Sequence, residues 1–201
     1  MNKNIPIYQA LIDDEGTGMF TISLVDKPAV ESDFLFFNED KKIVNFKVEN
    51  EEKRIVTGVV MRCDYPIYRI NQYGEEYYIT FSKETIEKMV EKFLKDGLNN
   101  NVNLQHNPDF YVNDVLLKEI FIKDIERGVN PTGFENISEG SLFATYHILN
   151  DDVWLLIKSG EFKGFSLEGV FSYDEVETEE DKEYNEIMSL LDKLNKIKNK
   201  K

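Results

Sequence analysis

Apolar and polar positions alternate through much of the first part of the chain. Runs at 5–12 (IPIYQALI), 19–25 (MFTISLV), 33–38 (DFLFFN), 42–48 (KIVNFKV), 54–62 (RIVTGVVMR) and 76–81 (EYYITF) are rich in Ile, Val, Phe, Tyr and Thr, with Gly, Pro, Asn and Asp between them. That is the pattern of short strands and turns. In 19–25 the set Met19, Thr21, Ser23 alternates with Phe20, Ile22, Leu24, which predicts a half-buried strand.

The period changes at SKETIEKMVEKFLKDG. Ile86, Met89, Val90, Phe93 and Leu94 recur at helical spacing, Ser82 stands where an N-cap is wanted, and Gly97 where a left-handed C-terminal cap is expected. Further strands are predicted at 101–107, 115–122 and 141–149, with a Gly/Pro/Asn-rich loop around 126–133. A short helix at 150–160 is capped by Asn150 or Asp151 and stopped by Gly160, and one more strand spans 162–173. The acidic stretch 175–186 reads as a linker, and 183–198 as an amphipathic helix with Ile187, Leu190, Leu191, Leu194 and Ile197 on its apolar side. The pattern predicts an α+β protein: a mostly antiparallel sheet or barrel with two or three packed helices and a helical tail. Its divisions are 1–173, a linker at 174–182 and a tail at 183–201.

At 201 residues, 41% hydrophobic and 12% aromatic, the chain is long and apolar enough for one domain with a full core. Its formal charge of −14 disfavours nucleic acid and acidic lipid surfaces, both of which select for Lys and Arg. The single cysteine, Cys63, has no internal disulfide partner and lies between apolar strand residues and a turn, as a semi-buried inert thiol does. The beginning of the chain has no long apolar segment and no run approaches the length of a spanning helix, so a soluble intracellular protein is expected.

Only two histidines are available for chemistry. His106 ends VNLQH, on the alternation of Val102 and Leu104 and next to the turn signal NPD; His147 lies in FATYHIL with Phe143 and Thr145. Each also suits a purely structural position. Ser166, in GFSLEG, shares a strand face with Gly164 and Glu168, and its small neighbours let a substrate backbone approach. GFSLEG is one residue longer than the nucleophile elbow of α/β-hydrolases, so that motif does not apply. A serine nucleophile needs a base and the base needs an orienting group. Ser166 and His106 supply the first two, and Glu168, His147 or an Asp supplies the third. A metal site from Asp13, Asp14, Asp109 and His106 has no coordination spacing to support it, and no cofactor motif is present.

Taken in order, FTISLVDKPAVESDFLFF, RIVTGVVMRCDYPIYRI, YYITFSKETI, VNLQHN and DDVWLLIKSGEFKGFSLEGVF resemble the phage prohead serine protease family, and more narrowly the phage serine proteases of prophage-like elements. The resemblance covers roughly 18–172. It implies a β-barrel surrounded by helices, similar to the herpesvirus capsid-maturation proteases. It implies a serine endopeptidase that cuts scaffold, capsid protein and itself inside the prohead, in the host cytoplasm, with a homodimer as one arrangement. The family's histidine matches His106 and its serine Ser166. The herpesvirus enzymes use a second histidine after the serine, and none follows Ser166 here. Glu168 is therefore favoured as third member, with His147 and Asp114 as alternatives. From another class, the same chain reads as a non-catalytic morphogenesis protein whose tail binds scaffold, portal or capsid.

Overall fold

The β-branched and aromatic runs become strands, and each strand's place in a sheet follows from which of its faces can be buried. The computed structural model of the protein describes residues 5–13, 15–28, 46–50 and 53–176. In chain order these form β1 (Ile7–Leu11), β2 (Gly18–Val25), β3 (Phe46–Asn50), β4 (Ile55–Met61), β5 (Ile67–Ile70), β6 (Glu76–Thr80) and α1 (Lys83–Lys95). A 3-10 turn at Leu98–Asn100 leads to β7 (Val102–Leu104), β8 (Val115–Ile122), β9 (Leu142–Ile148), α2 (Asp151–Lys158), β10 (Gly164–Val170) and β11 (Ser172–Glu175). The expected strand at 33–38 and the tail helix at 183–198 lie outside the described residues.

The strands make three sheets, ordered β11-β1-β6-β5, β10-β2-β7 and β3-β4-β9-β8. Pairing is antiparallel except between β1 and β6 and between β2 and β7. The mostly-β architecture with two helices is as expected, but among the described residues no closed barrel is formed. A barrel needs a continuous ladder around its wall. Here β4 runs alongside β10 without a ladder between them. The segment 162–173, expected as one strand, also breaks after Val170, so that β10 pairs with β2 and β11 with β1.

The break has a local cause. The β10–β2 register slips between Glu168 and Gly169, and a Cβ on Gly169 would stand 2.3 Å from the Gly18 carbonyl oxygen and 2.8 Å from the Phe171 ring. Only glycine permits that approach. Phe171 then packs edge-on against Phe81 with ring centroids 5.0 Å apart.

Strand β2 departs from the half-buried expectation. Met19, Thr21 and Ser23 are buried together with Ile22 and Leu24, because β2 is the central strand of its sheet and both its faces are covered. Strand β5 is not evident in the sequence, being four residues long with Arg69 inside it. It exists as one arm of a hairpin in which Tyr68 opposes Tyr78.

Ser82 caps α1 by accepting the Thr85 N–H, and Ile86, Met89 and Phe93 are fully buried, but Leu94 is exposed. The buried Thr85 hydroxyl donates to the Ala10 carbonyl at 2.9 Å and ties the helix to β1. One large core joins the α1 stripe to Met19, Ile22, Leu24 and Val102, and extends to Tyr146 and Phe165, whose rings lie 5.3 Å apart. In α2, Asn150 accepts the Val153 N–H as the cap, and Trp154 is buried in the same core. No described helix is long and apolar enough to cross a membrane.

Candidate active site

The sheet β10-β2-β7 lines up polar side chains on one face. Antiparallel pairing sets Ser166 opposite Ser23 and Glu168 opposite Thr21, and parallel pairing sets Ser23 opposite Asn103. Residues directly opposite, or two apart on one strand, share a face. Ser166, Glu168, Ser23, Thr21 and Asn103 therefore lie together, while Phe165, Ile22, Leu24 and Val102 form the core side. The Thr21 hydroxyl is 3.3 Å from the Tyr111 hydroxyl.

His106 reaches this face by a route that differs from the sequence expectation. Strand β7 ends at Leu104, and a turn closed by Asn107 N–H to the Leu104 carbonyl (3.0 Å) follows. Its central residues, Gln105 and His106, have φ of 54° and 57°. Neither is glycine, so each carries strain of order ~1 kcal/mol. The left-handed turn breaks the strand alternation, and His106 emerges on the Asn103 face, not on that of Val102 and Leu104. The Gln105 N–H donates to the Leu24 carbonyl at 2.9 Å, and its side-chain amide, oriented to satisfy both of its ends, donates to Asp26 Oδ1 at 3.1 Å and accepts the Asp26 N–H at 3.3 Å. The SLVD stretch thus lends Ser23 to the site and Asp26 to the turn that carries His106.

Glu168 Oε1 collects three donors: Ser23 Oγ at 2.6 Å, Asn103 Nδ2 at 2.7 Å and His106 Nδ1 at 3.1 Å. His106 Nδ1 is also 3.1 Å from Ser23 Oγ. Since Ser23 gives its one proton to Glu168, its oxygen faces the ring only as an acceptor. Nδ1 therefore carries the proton, and Nε2 of the neutral ring keeps a lone pair. Burial pushes the Glu168 carboxyl upward, but the hydrogen bonds from Ser23, Asn103 and His106, with the charge interaction of His106, outweigh it and hold the group below its ordinary 4.5.

Exposure grades across the cluster. Ser23 and Asn103 are fully buried and Ser166 is 5% exposed, whereas the side chains of His106 and Glu168 are 43% and 30% exposed. Among the described residues Ser166 Oγ makes no hydrogen bond, to His106 or to any other group, so its proton is uncommitted. Asn103 Oδ1 is buried without a partner. Ser166 and Glu168 also border a cleft of about 340 Å³.

The other residues singled out in the sequence lie elsewhere. His147 sits opposite Ile55 and Leu116 in β9, next to Tyr146 whose ring packs on Phe165, so alternation turns it to the opposite side of its sheet. Asp114, at φ 61°, receives the Leu149 and Asn150 N–H groups on its carbonyl. Neither hydrogen-bonds His106. Asp13 closes a turn with Thr17, and the Asp109 N–H bonds to the Asn107 side chain; Asp14 lies outside the described residues. Among those residues no three His, Cys, Asp or Glu side chains are grouped to hold a metal ion. Cys63 is buried, its thiol pushed up to about 12 by burial and by its contact with Asp64.

Two members of the cluster escape a reading of the sequence. Ser23 and Asn103 appear there only as polar beats in FTISL and NVNL, and such beats ordinarily face solvent. Their importance comes from the β10-β2-β7 order, which brings three distant segments to one carboxylate.

No curated protein and no solved structure matches the chain. The family described as "Putative phage serine protease XkdF" matches residues 42–175, a stretch that holds His106, Ser166 and Glu168 but not Ser23. With most of its length matched in this way, the chain belongs to that phage serine protease family.

Proposed function

We propose that the protein is a serine endopeptidase of phage capsid maturation, acting on scaffold and capsid protein, and on itself, within the assembling prohead. Ser166 attacks the scissile carbonyl and His106 Nε2 takes its proton. The tetrahedral adduct collapses as His106 returns that proton to the leaving amine, and water releases the acyl group by the same steps. Glu168 holds the Nδ1–H, and backbone N–H groups receive the oxyanion. The carrying observation is the His106–Glu168 contact beside Ser23, which fixes the tautomer a general base needs on the face that Ser166 shares. An unbonded serine is compatible with this, since nucleophile–base contacts often tighten only with substrate. The likeness to herpesvirus capsid proteases belongs to the same proposal, as do a tail that docks on scaffold and a homodimer.

The 5% exposure of Ser166 favours a second reading, a morphogenesis protein that keeps the fold and binds scaffold, portal or capsid without cleaving it. Intact-mass analysis after co-expression with scaffold and capsid proteins separates the two. Discrete fragments from the native chain, absent with Ser166→Ala, are the expected result. Identical full-length masses in both would overturn the protease reading in favour of the second.

A further inference from the structure

The cleft beside Ser166 contains a cation that the proposed chemistry does not use. In the β5–β6 hairpin Ile67 opposes Ile79 and Arg69 opposes Tyr77. Arg69 therefore shares the face of two buried isoleucines, while Ile70 points to solvent. Arg69, Ser166 and Glu168 all border the same cleft of about 340 Å³, whose other walls include Phe81, Phe171 and Tyr173.

The guanidinium is half-buried, and burial pulls its pKa below the ordinary value against the opposing influence of Tyr173 and Tyr77. Its Nη1 donates to the Tyr68 carbonyl at 3.0 Å. Among the described residues no carboxylate pairs with it, although the chain holds 38 Asp and Glu against 24 Lys and Arg. A partly desolvated cation without a counter-charge is unfavourable, and a carboxylate brought into the cleft relieves it through the forked geometry that Arg offers.

We propose that this cleft is a subsite for the polypeptide substrate that takes an acidic side chain, its carboxylate on Arg69 and its methylenes against Phe81 and Phe171. The assignment of the ligand as substrate rests on the protease reading. The Glu168 carboxylate is taken up by Ser23, Asn103 and His106, so Arg69 is the charge that the cleft offers and the incoming carboxylate seats at its end.

The test uses the full chain carrying Ser166→Ala, so that peptides bind without being cut; affinities are measured by calorimetry in every variant, and the Arg69 Nε–H resonance is followed by NMR where Arg69 is present. Capped Ala-Ala-Glu-Ala-Ala is expected to shift it saturably and to bind about tenfold more tightly than the Gln counterpart. Arg69→Gln abolishes that preference, and Arg69→Lys, which keeps the charge, retains part of it. Equal binding of the two peptides, or a preference that survives Arg69→Gln, overturns the subsite. Cleavage of a peptide library by the native chain separates the two proposals. Binding at Arg69 with no cleavage sinks the protease reading and leaves the acidic subsite standing. Cleavage without an acidic preference, or with one that Arg69→Gln retains, does the reverse.

Discussion

Replacing Glu168 by Gln tests the site where its electrostatics are most concentrated. The amide keeps the shape and an oxygen for Ser23 and Asn103 but removes the charge that draws three donors to Oε1. Hydrogen bonds to a charged group contribute about 1.5–3 kcal/mol and neutral ones about 0.5–1.5. Two donors are fully buried and the third, on His106, is 43% exposed. Allowing about 1 kcal/mol for each buried donor and little for the exposed one gives a loss of about 2 kcal/mol at neutral pH. For a chain of this size that lowers Tm by roughly 4–8 °C.

The pH dependence fixes the sign. The folded-state pKa of Glu168 lies below its ordinary 4.5, so the ionised form stabilises the fold at pH above that value. This contribution fades as the pH falls from 4.5 through the lower folded-state pKa, and the Gln variant lacks it at every pH. Urea unfolding of both proteins at neutral pH and in the acid range should show a gap that narrows on acidification. Equal stabilities at neutral pH, or a gap that stays constant into acid, would refute the description of Glu168 as a charge held by three donors.

Gly169→Ala places a methyl 2.3 Å from a backbone oxygen that cannot swing away. A destabilisation of about 3 kcal/mol is expected, with displacement of Glu168 next to it; a melting temperature within a degree of the native chain's would show the bulge is not so tightly closed. Cys63, with its thiol pushed up to about 12, should resist iodoacetamide at pH 8 in the folded chain and react once unfolded in urea. Comparable alkylation of both forms would mean that the thiol is neither buried nor suppressed as described.

Several elements were legible because local chemistry decides them. The Ser82 cap, the Ile86–Met89–Phe93 stripe and the Asn150 cap act within a turn or two of the chain, and the structure keeps all three. The short strands were legible in number more than in role. β2 looked half-buried because alternation counts Thr and Ser as polar, whereas a central strand buries them too. β5 was hidden by Arg69, whose inward direction is set by its pairing with β6 and by no local pattern.

The sequence by itself determined that this is a mostly-β chain with a few packed helices, that its only cysteine lies between strand residues and a turn, and that His106 and Ser166 stand out by residue type and resemblance. Periodicity, capping and composition suffice for that, because they act over neighbouring residues. Only the tertiary structure decided that Ser23 and Asn103 join His106 at Glu168, that His106 leaves the strand through a left-handed turn, and that Arg69 faces the cleft at Ser166. Those outcomes depend on the order and register of strands far apart in the chain, and a register shift of one residue would send every one of these side chains to the opposite face.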